Sequence, residues 1–329
     1  MGDTSRLYPL KFKPQIFDKI WGGKKLRDEL YKPTKSDKAG ESWEISGVQG
    51  NISEITNGFL AGNDLQELVE VYMGDLVGDK VYSKFGIEFP LLIKFIDASD
   101  VLSIQVHPDD KMAKERHNSY GKTEMWYIIQ ADHESELIVG FNQEVDKEKY
   151  LKCLDEKKLE EILHREKVKV GDVFFLPAGR IHAIGKGILL AEIQQTSDVT
   201  YRIFDFNRKD ANGNSRELHT ELAVDAINYT FYDNYRTEYN RIANEPSQII
   251  NCKYFTTNYL QLNKEIEKET ANIDSFVIYM CLEGELKIKY YETEEIKLSK
   301  GETILIPAEI DNYFLLPVKE SVLLEVYIP

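Results

Sequence analysis

Three polar residues within one short apolar segment could do chemistry together. Ser103, Gln105 and His107 alternate with Ile104 and Val106. A β-strand sends alternate residues to the same face, so the three polar side chains share one face and the two aliphatic side chains take the other. Gln and His at this spacing can both reach one metal ion. A polar strand face turned to water is the simpler alternative, and this segment alone does not separate the two.

Further residues with ligand side chains follow in the sequence. Glu124 lies in a segment, residues 122 to 129, that is predicted to be a strand, and His182 follows a Pro-Ala-Gly turn. Two imidazoles, one carboxylate and one amide oxygen suit a borderline divalent ion, and zinc is the tetrahedral choice with open positions for water or substrate. We therefore predict one zinc ion per chain, held by Gln105, His107, Glu124 and His182.

The elements that must position these residues indicate a mainly β protein. Short segments rich in β-branched and aromatic residues, bounded by Gly, Pro and Asn, recur along the chain. Apolar residues at helical spacing predict helices within residues 65 to 72, 146 to 164 and 216 to 228. Residues 109 to 117 are expected to form a short polar helix or turn.

The sequence also contains an internal repeat. The segment around Gly171 and Pro177 matches the segment around Gly301 and Pro307, with the same spacing in both copies. A repeat built from short strands and Gly/Pro turns predicts two related jelly-roll β-barrels in tandem.

The two copies differ at the predicted metal site. We pair His182 with Asp311, which lies just after the corresponding turn of the second copy, and the second copy contains no His. We expect residues 1 to 235 to form the catalytic domain, with its N-terminal strands and helices. Residues 236 to 329 are expected to form a degenerate domain without metal ligands, after a linker at 230 to 245.

Composition excludes several classes of function. The chain has 56 acidic and 41 basic residues and a net charge of −15, so a nucleic-acid partner is not expected. No apolar run is long enough for a transmembrane helix, and the N-terminus does not resemble a signal peptide. The three cysteines lie far apart, which favours a reducing compartment and a cytoplasmic protein. Monomer and homodimer both remain open.

Four motifs of the chain occur together in one known family. They are Gln-Val-His-Pro-Asp at 105 to 109, Lys-Thr-Glu at 122 to 124, Pro-Ala-Gly-Arg-Ile-His-Ala at 177 to 183, and Tyr201-Arg202. The chain resembles, over essentially its whole length, the short bacterial form of type I mannose-6-phosphate isomerase. The resemblance implies two cupin barrels and a zinc enzyme that interconverts mannose 6-phosphate and fructose 6-phosphate through an enediol.

The resemblance also implies roles for individual residues. It places the metal ligands on the four residues predicted above, a catalytic arginine on Arg202, and Ser103 and Lys122 beside the site. The predicted donors to the phosphate group are Ser103, Lys122, Arg202 and Arg208. Longer members of the family carry a Tyr-x-Asp-x-Asn-His-Lys-Pro-Glu signature, of which residues 118 to 124 keep only the Lys and the Glu. Details of sugar recognition are therefore not carried over.

Several alternatives remain open at this stage. The isomerase reaction needs a base near the substrate carbons, and the candidates are Lys122, Glu192, Asp198 and a metal-bound hydroxide. Arg202 could instead be a surface residue paired with a nearby aspartate. Two His and one carboxylate also form the iron site of cupin oxygenases. A sugar-phosphate sensor without turnover would keep the barrel and lose only the catalysis.

Overall fold

The computed structural model describes residues 6 to 209 and 213 to 329. Strands are its main secondary structure, which confirms the predicted mainly β fold. In the first half of the chain the strands are β1 (Leu10–Lys11), β2 (Gln15–Gly23), β3 (Ala39–Ser46), β4 (Leu91–Ala98), β5 (Ile104–Val106), β6 (Glu124–Ala131), β7 (Glu136–Phe141), β8 (Leu163–Lys167), β9 (Val173–Leu176), β10 (His182–Ile184), β11 (Ile188–Gln195) and β12 (Tyr201–Phe204).

The remaining strands follow a long connection. They are β13 (Ser247–Asn251), β14 (Thr256–Leu262), β15 (Ile266–Glu269), β16 (Val277–Tyr290), β17 (Glu294–Ser299), β18 (Thr303–Ile306) and β19 (Asn312–Tyr327). The helices are α1 (Lys25–Asp28), α2 (Leu65–Val77), α3 (Asp79–Phe85), α4 (Asp110–His117), α5 (Lys147–Asp155) and α6 (Thr220–Ala226). None of these helices in the described residues is long and apolar enough to cross a membrane.

Two antiparallel sheets form the first barrel. One runs β2-β3-β4-β11-β6-β9 and the other runs β12-β5-β10-β7-β8. Trp126 and Leu190 from the first sheet pack with Val139 and Ile184 from the second in one buried cluster. Each strand thus turns one face to the barrel interior, as the alternating pattern around Gln105 predicts.

The second barrel is one curled sheet of eight strands, made of β1 and β13 to β19. Strand β1 joins it from the N-terminus, with Leu10 paired to Leu305 of β18. An apolar cluster that includes Phe95 of the first barrel, Leu68 of α2 and Ile278 of the second barrel joins the two halves. The domain boundary at residues 235 and 236 stays a prediction.

Two predicted helices are shorter than expected. Helix α5 stops at Asp155, and residues 163 to 167 form β8 instead, because Arg165 pairs with Ile138 in the sheet. Helix α6 covers only Thr220–Ala226 of the predicted 216 to 228. Residues 110 to 117 form the expected short helix, and the Asp109 side chain caps it by accepting a hydrogen bond from Met112 N at 2.8 Å.

Candidate metal centre and active site

One wall of the first barrel carries three predicted site residues side by side. Gln105 on β5 pairs in register with His182 on β10 and with Arg202 on β12. Residues directly opposite each other on neighbouring strands point to the same face. The sheet register therefore brings these three side chains to one surface of the barrel although they are distant in sequence.

The facing wall carries a second row of functional side chains. Glu192 on β11 pairs in register with Lys94 on β4 and with Trp126 on β6. Glu124 lies two residues before Trp126 on the same strand, so it shares that face. The two rows lie on opposite sheets and face the polar interior of the first barrel.

The three strongest metal-ligand candidates meet between these walls. His182 Nε2 lies 3.2 Å from Glu124 Oε1, and His107 Nε2 lies 3.5 Å from Glu124 Oε2. One ligand atom from each of the three residues lies within 4.8 Å of the others, and all three side chains are buried. The amide of Gln105 reaches the same place, with Nε2 3.3 Å from His182 Nε2.

The two imidazoles are oriented by their second nitrogen atoms. His107 Nδ1 lies 3.0 Å from the carbonyl oxygen of Val199, and His182 Nδ1 lies 2.8 Å from that of Arg180. A carbonyl oxygen only accepts hydrogen bonds, so each Nδ1 carries the proton and each Nε2 offers a lone pair to the interior. Burial lowers the pKa of His182 to about 4 and that of His107 well below its ordinary value, which favours the neutral form that binds metal.

Glu124 provides the test of whether a cation fits this site. Its side chain is fully buried, and neither carboxylate oxygen accepts a hydrogen bond of regular geometry. Burial raises the pKa of Glu124 to about 7, against the opposing effect of the Lys122 ammonium. A buried carboxylate that faces two imidazole lone pairs and whose Oε1 receives no hydrogen bond from the described residues is part of a donor set for a divalent cation.

A cavity of about 450 Å³ adjoins the cluster of His107, Glu124 and His182. Its walls come from both sheets and from nearby loops, and they consist of Phe17, Lys19, Trp21, Glu41, Trp43, Lys94, Ile96, Leu102, Ser103, Gln105, Lys122, Ile184, Glu192, Asp198, Thr200, Arg202 and Arg216. Lys122 connects the cavity to the cluster, since its Nζ lies 2.9 Å from Glu124 Oε2 and 3.1 Å from His107 Nε2. Three side chains were considered as the catalytic base, and each of them lines this cavity: Lys122, Glu192 and Asp198.

An ion-pair network that the sequence did not reveal lies on the cavity wall. Lys94 Nζ lies 2.9 Å from Glu192 Oε2, and Trp126 Nε1 donates to Glu192 Oε1 at 2.8 Å. Burial alone would raise the pKa of Glu192, but Lys94, Lys122 and the two hydrogen bonds lower it to about 2. Lys94 and Lys19 likewise hold the pKa of the partly buried Glu41 below its ordinary value despite desolvation. A single Lys within the apolar run of residues 91 to 96 was the available signal for Lys94.

The predicted arginines occupy different positions. Arg202 lines the cavity, forms no ion pair within the described residues, and has a buried Nε without a hydrogen-bond acceptor. Its other contact is a 2.8 Å hydrogen bond from Nη1 to the carbonyl oxygen of Glu217. Arg208 is held by Asp205, with Nε 3.2 Å from Oδ1, and does not belong to the cavity wall. Arg216 does line the cavity, and no local sequence signal indicated it.

The second barrel contains a buried carboxylate, Glu325, at the place that Glu192 occupies in the first. Glu192 pairs in register with Trp126, and Glu325 pairs in register with Tyr279. Each aromatic side chain donates a hydrogen bond to its carboxylate, at 2.8 Å in the first barrel and 2.7 Å in the second. Lys268 Nζ lies 2.6 Å from Glu325 Oε1 and neutralises it.

The structural counterpart of His182 is Tyr313, so the pairing with Asp311 was wrong. His182 pairs with Gln105 across the sheet, and Tyr313 pairs with Lys268. Each packs edge-on against the aromatic partner of the buried glutamate, with ring centroids 5.2 Å and 6.2 Å apart. Asp311 lies exposed just before β19. The ammonium of Lys268 therefore occupies the position in the second barrel that the amide of Gln105 occupies in the first.

Comparison with known proteins gives matches at both ends of the chain. A family model described as "Phosphomannose isomerase type I, catalytic domain" matches residues 9 to 147. A second, described as "Mannose-6-phosphate isomerase, cupin domain", matches residues 246 to 316. Mannose-6-phosphate isomerase from Streptococcus mutans is 35% identical over 306 residues, which cover 93% of this chain and 94% of the relative. Mannose-6-phosphate isomerase ManA from Bacillus subtilis is 36% identical over 313 residues, with 93% and 95% coverage.

Solved structures show the same architecture. The crystal structure of the mannose 6-phosphate isomerase from Bacillus subtilis superposes with a TM-score of 0.87 at 34% identity, over 98% of this chain and 99% of that one. A variant of phosphomannose isomerase from Salmonella typhimurium reaches a TM-score of 0.78 at 18% identity, over 98% of this chain and 100% of that one. At that identity the second match speaks for the fold alone.

Proposed function

The chain belongs to the type I phosphomannose isomerase family of enzymes, and on this premise we propose that it interconverts D-mannose 6-phosphate and D-fructose 6-phosphate with one bound zinc ion. The observation that supports the proposal is a buried set of neutral imidazoles and a carboxylate at the edge of a cavity with cationic walls. The cationic side chains suit the anionic end of a sugar phosphate.

His107, Glu124 and His182 would hold the metal ion, and Gln105 would be the fourth ligand when its amide turns its oxygen inward. Two nitrogen ligands, a carboxylate and an amide oxygen suit zinc. When bound, the ion polarises hydroxyl and carbonyl oxygens of the substrate without changing its own oxidation state.

The reaction moves a proton between two neighbouring carbons of the sugar. A base removes the proton from carbon 2 of the aldose, the enediol forms, and the proton returns to carbon 1, while a hydroxyl proton moves between the two oxygens. Lys122, at the junction of cluster and cavity, donates hydrogen bonds to the oxygen that gains negative charge. Glu192 is a weak base because its pKa is lowered to about 2.

Arg202 is the proposed partner of an anionic group of the substrate. Its guanidinium is half-buried in the cavity wall, and its Nε has no acceptor among the residues that the structure describes. A planar guanidinium can make two parallel hydrogen bonds to a phosphate or to an enediolate. Ser103 and Lys122 are proposed to bind the substrate from the same cavity. Asp205 holds both Arg208 and Arg216. Only Arg216 also lines the cavity, so Arg208 keeps a supporting role.

A coupled assay that follows fructose 6-phosphate from mannose 6-phosphate tests the proposal. We expect turnover that is lost with a chelator and restored by one equivalent of zinc. Failure to convert the substrate would overturn the proposed function, and binding without conversion would indicate a sugar-phosphate sensor. Activity that survives complete metal removal would overturn the metal dependence. Oxygen consumption restored by iron would favour an oxygenase instead.

A further inference from the structure

We propose that Tyr254 of the second barrel positions Lys122 in the active site, through hydrogen bonds of Asp110 and Gln195. The inference rests on the proposed function, because it concerns a residue that acts in isomerisation. The second barrel would then contribute to the reaction in the first, although the cluster of metal-ligand side chains found in the described residues lies in the first barrel.

Asp110, the first residue of α4, receives hydrogen bonds from both barrels. Its Oδ2 accepts from Tyr254 Oη at 2.6 Å and from Lys253 Nζ at 3.1 Å. Its Oδ1 accepts from Gln195 Nε2 at 2.9 Å and from Gly121 N at 3.2 Å. These donors keep the pKa of Asp110 below its ordinary value although burial opposes them, so the carboxylate stays a charged acceptor.

Gln195, the last residue of β11, carries the contact to the strand that holds Glu124. Its side chain is 4% exposed, and both ends of the amide are used. The Oε1 atom accepts from Thr123 N at 2.9 Å, and the Gln195 backbone N donates to Thr123 O at 3.1 Å. Both the backbone N–H and the backbone carbonyl of Thr123 are therefore hydrogen-bonded to Gln195 at the end of β11.

Lys122 lies between two residues that this network holds. Gly121 packs so closely on α4 that a Cβ atom would lie 2.5 Å from Asp110 N, and Lys122 N itself donates to Pro108 O at 3.1 Å. A long, flexible Lys side chain is precise only when its backbone is fixed, and small displacements of a catalytic group cost rate. The network therefore acts on catalysis through the position of the Lys122 ammonium.

Tyr254→Phe tests the proposal because it removes one donor hydroxyl and keeps the ring. We expect bound zinc and the thermal midpoint of unfolding to stay unchanged, while kcat falls about threefold to tenfold and KM changes little. Hydrogen exchange of the amides of residues 121 to 123 should become faster at the same time. Gln195→Glu, which replaces the donor to Asp110 by a repelling oxygen, should lower kcat and speed the exchange further, and it should also lower the thermal midpoint because it places a second carboxylate beside Asp110.

Tyr291→Phe is the matched control, since Tyr291 is also a half-buried residue of the second barrel and donates to Leu7 O at 2.7 Å. It should change neither kcat nor exchange. In a Lys122→Ala background Tyr254→Phe should cause no further loss of kcat, because the residue on which it acts is gone. Unchanged kinetics and exchange in Tyr254→Phe, or an equal loss with and without Lys122, would overturn the proposal. An inactive wild-type protein would instead refute the proposed function, and the exchange measurement would still decide the positioning.

Discussion

Lys122 Nζ lies 2.9 Å from Oε2 of Glu124, so a residue of the cavity wall forms an ion pair with the carboxylate at the centre of the candidate metal site. A metal ion on Glu124 would neutralise that same carboxylate. The Lys122 ammonium would then be a neighbouring like charge, free to direct its hydrogen atoms into the cavity. We therefore expect Lys122 to serve catalysis and to oppose metal binding.

Lys122→Met should separate these two effects. Without the ammonium the site should bind zinc at least as tightly as in the wild-type protein, because a repelling charge is removed. The kcat value should fall at least about 100-fold, since a donor to the developing oxyanion is lost. Metal titration and steady-state kinetics on the same preparation check both statements. Weaker zinc binding would mean that Lys122 supports the metal site.

Glu124→Ala and His182→Ala should each lower zinc affinity at least about 100-fold, and activity with it, because a direct ligand is removed. Elemental analysis after dialysis measures the bound metal. Tyr313→Phe, at the corresponding position of the second barrel, is the control and should leave the metal content unchanged. Full zinc occupancy in both ligand variants would refute the assignment.

Arg202→Lys should keep zinc and fold but lose at least roughly tenfold in kcat/KM, or ~1.4 kcal/mol of transition-state stabilisation, because an ammonium does not reproduce the planar guanidinium. The comparison is Arg236→Lys, whose guanidinium Nη2 lies 2.5 Å from Glu166 Oε1 outside the cavity. That variant should keep wild-type kinetics. If both variants showed the same kinetics, the proposed role of Arg202 in the reaction would be contradicted.

Asp97 predicts a pH-dependent stability. Burial raises its pKa from 3.8 to about 6, and its Oδ1 accepts no hydrogen bond. The folded protein thus binds this proton more tightly than the unfolded chain does, so the contribution of Asp97 to stability is greatest below about pH 4 and declines as the pH rises to about 6. Asp97→Asn should raise the free energy of unfolding on the order of 2 kcal/mol at pH 7.5, with the gain vanishing towards pH 4.

Urea unfolding at several pH values measures this difference. Asp225→Asn is the control, because Asp225 pairs with Arg116 at 2.7 Å while its own side chain is 49% exposed. A gain for Asp97→Asn that does not depend on pH would contradict the explanation.

The candidate ligands were predictable because strand alternation is a local property. Gln105 and His107 share a face for that reason, and both are residue types that bind metal ions. The pairing of His182 with Asp311 failed because sheet register is set by partner strands that sequence spacing does not show, and a small slip changes which side chains face inward. Arg216 was missed because only the long-range course of the chain brings it to the cavity.

The Lys268–Glu325 pair places a cation of the polypeptide itself in the interior of the second barrel. A metal site there would require coordinated replacements at several interior positions, including Lys268 and Tyr313. Losing Lys268 first would leave Glu325 buried without its counter-ion, a change that costs several kcal/mol. A stepwise route from this barrel to a metal-binding one therefore passes through a destabilised protein.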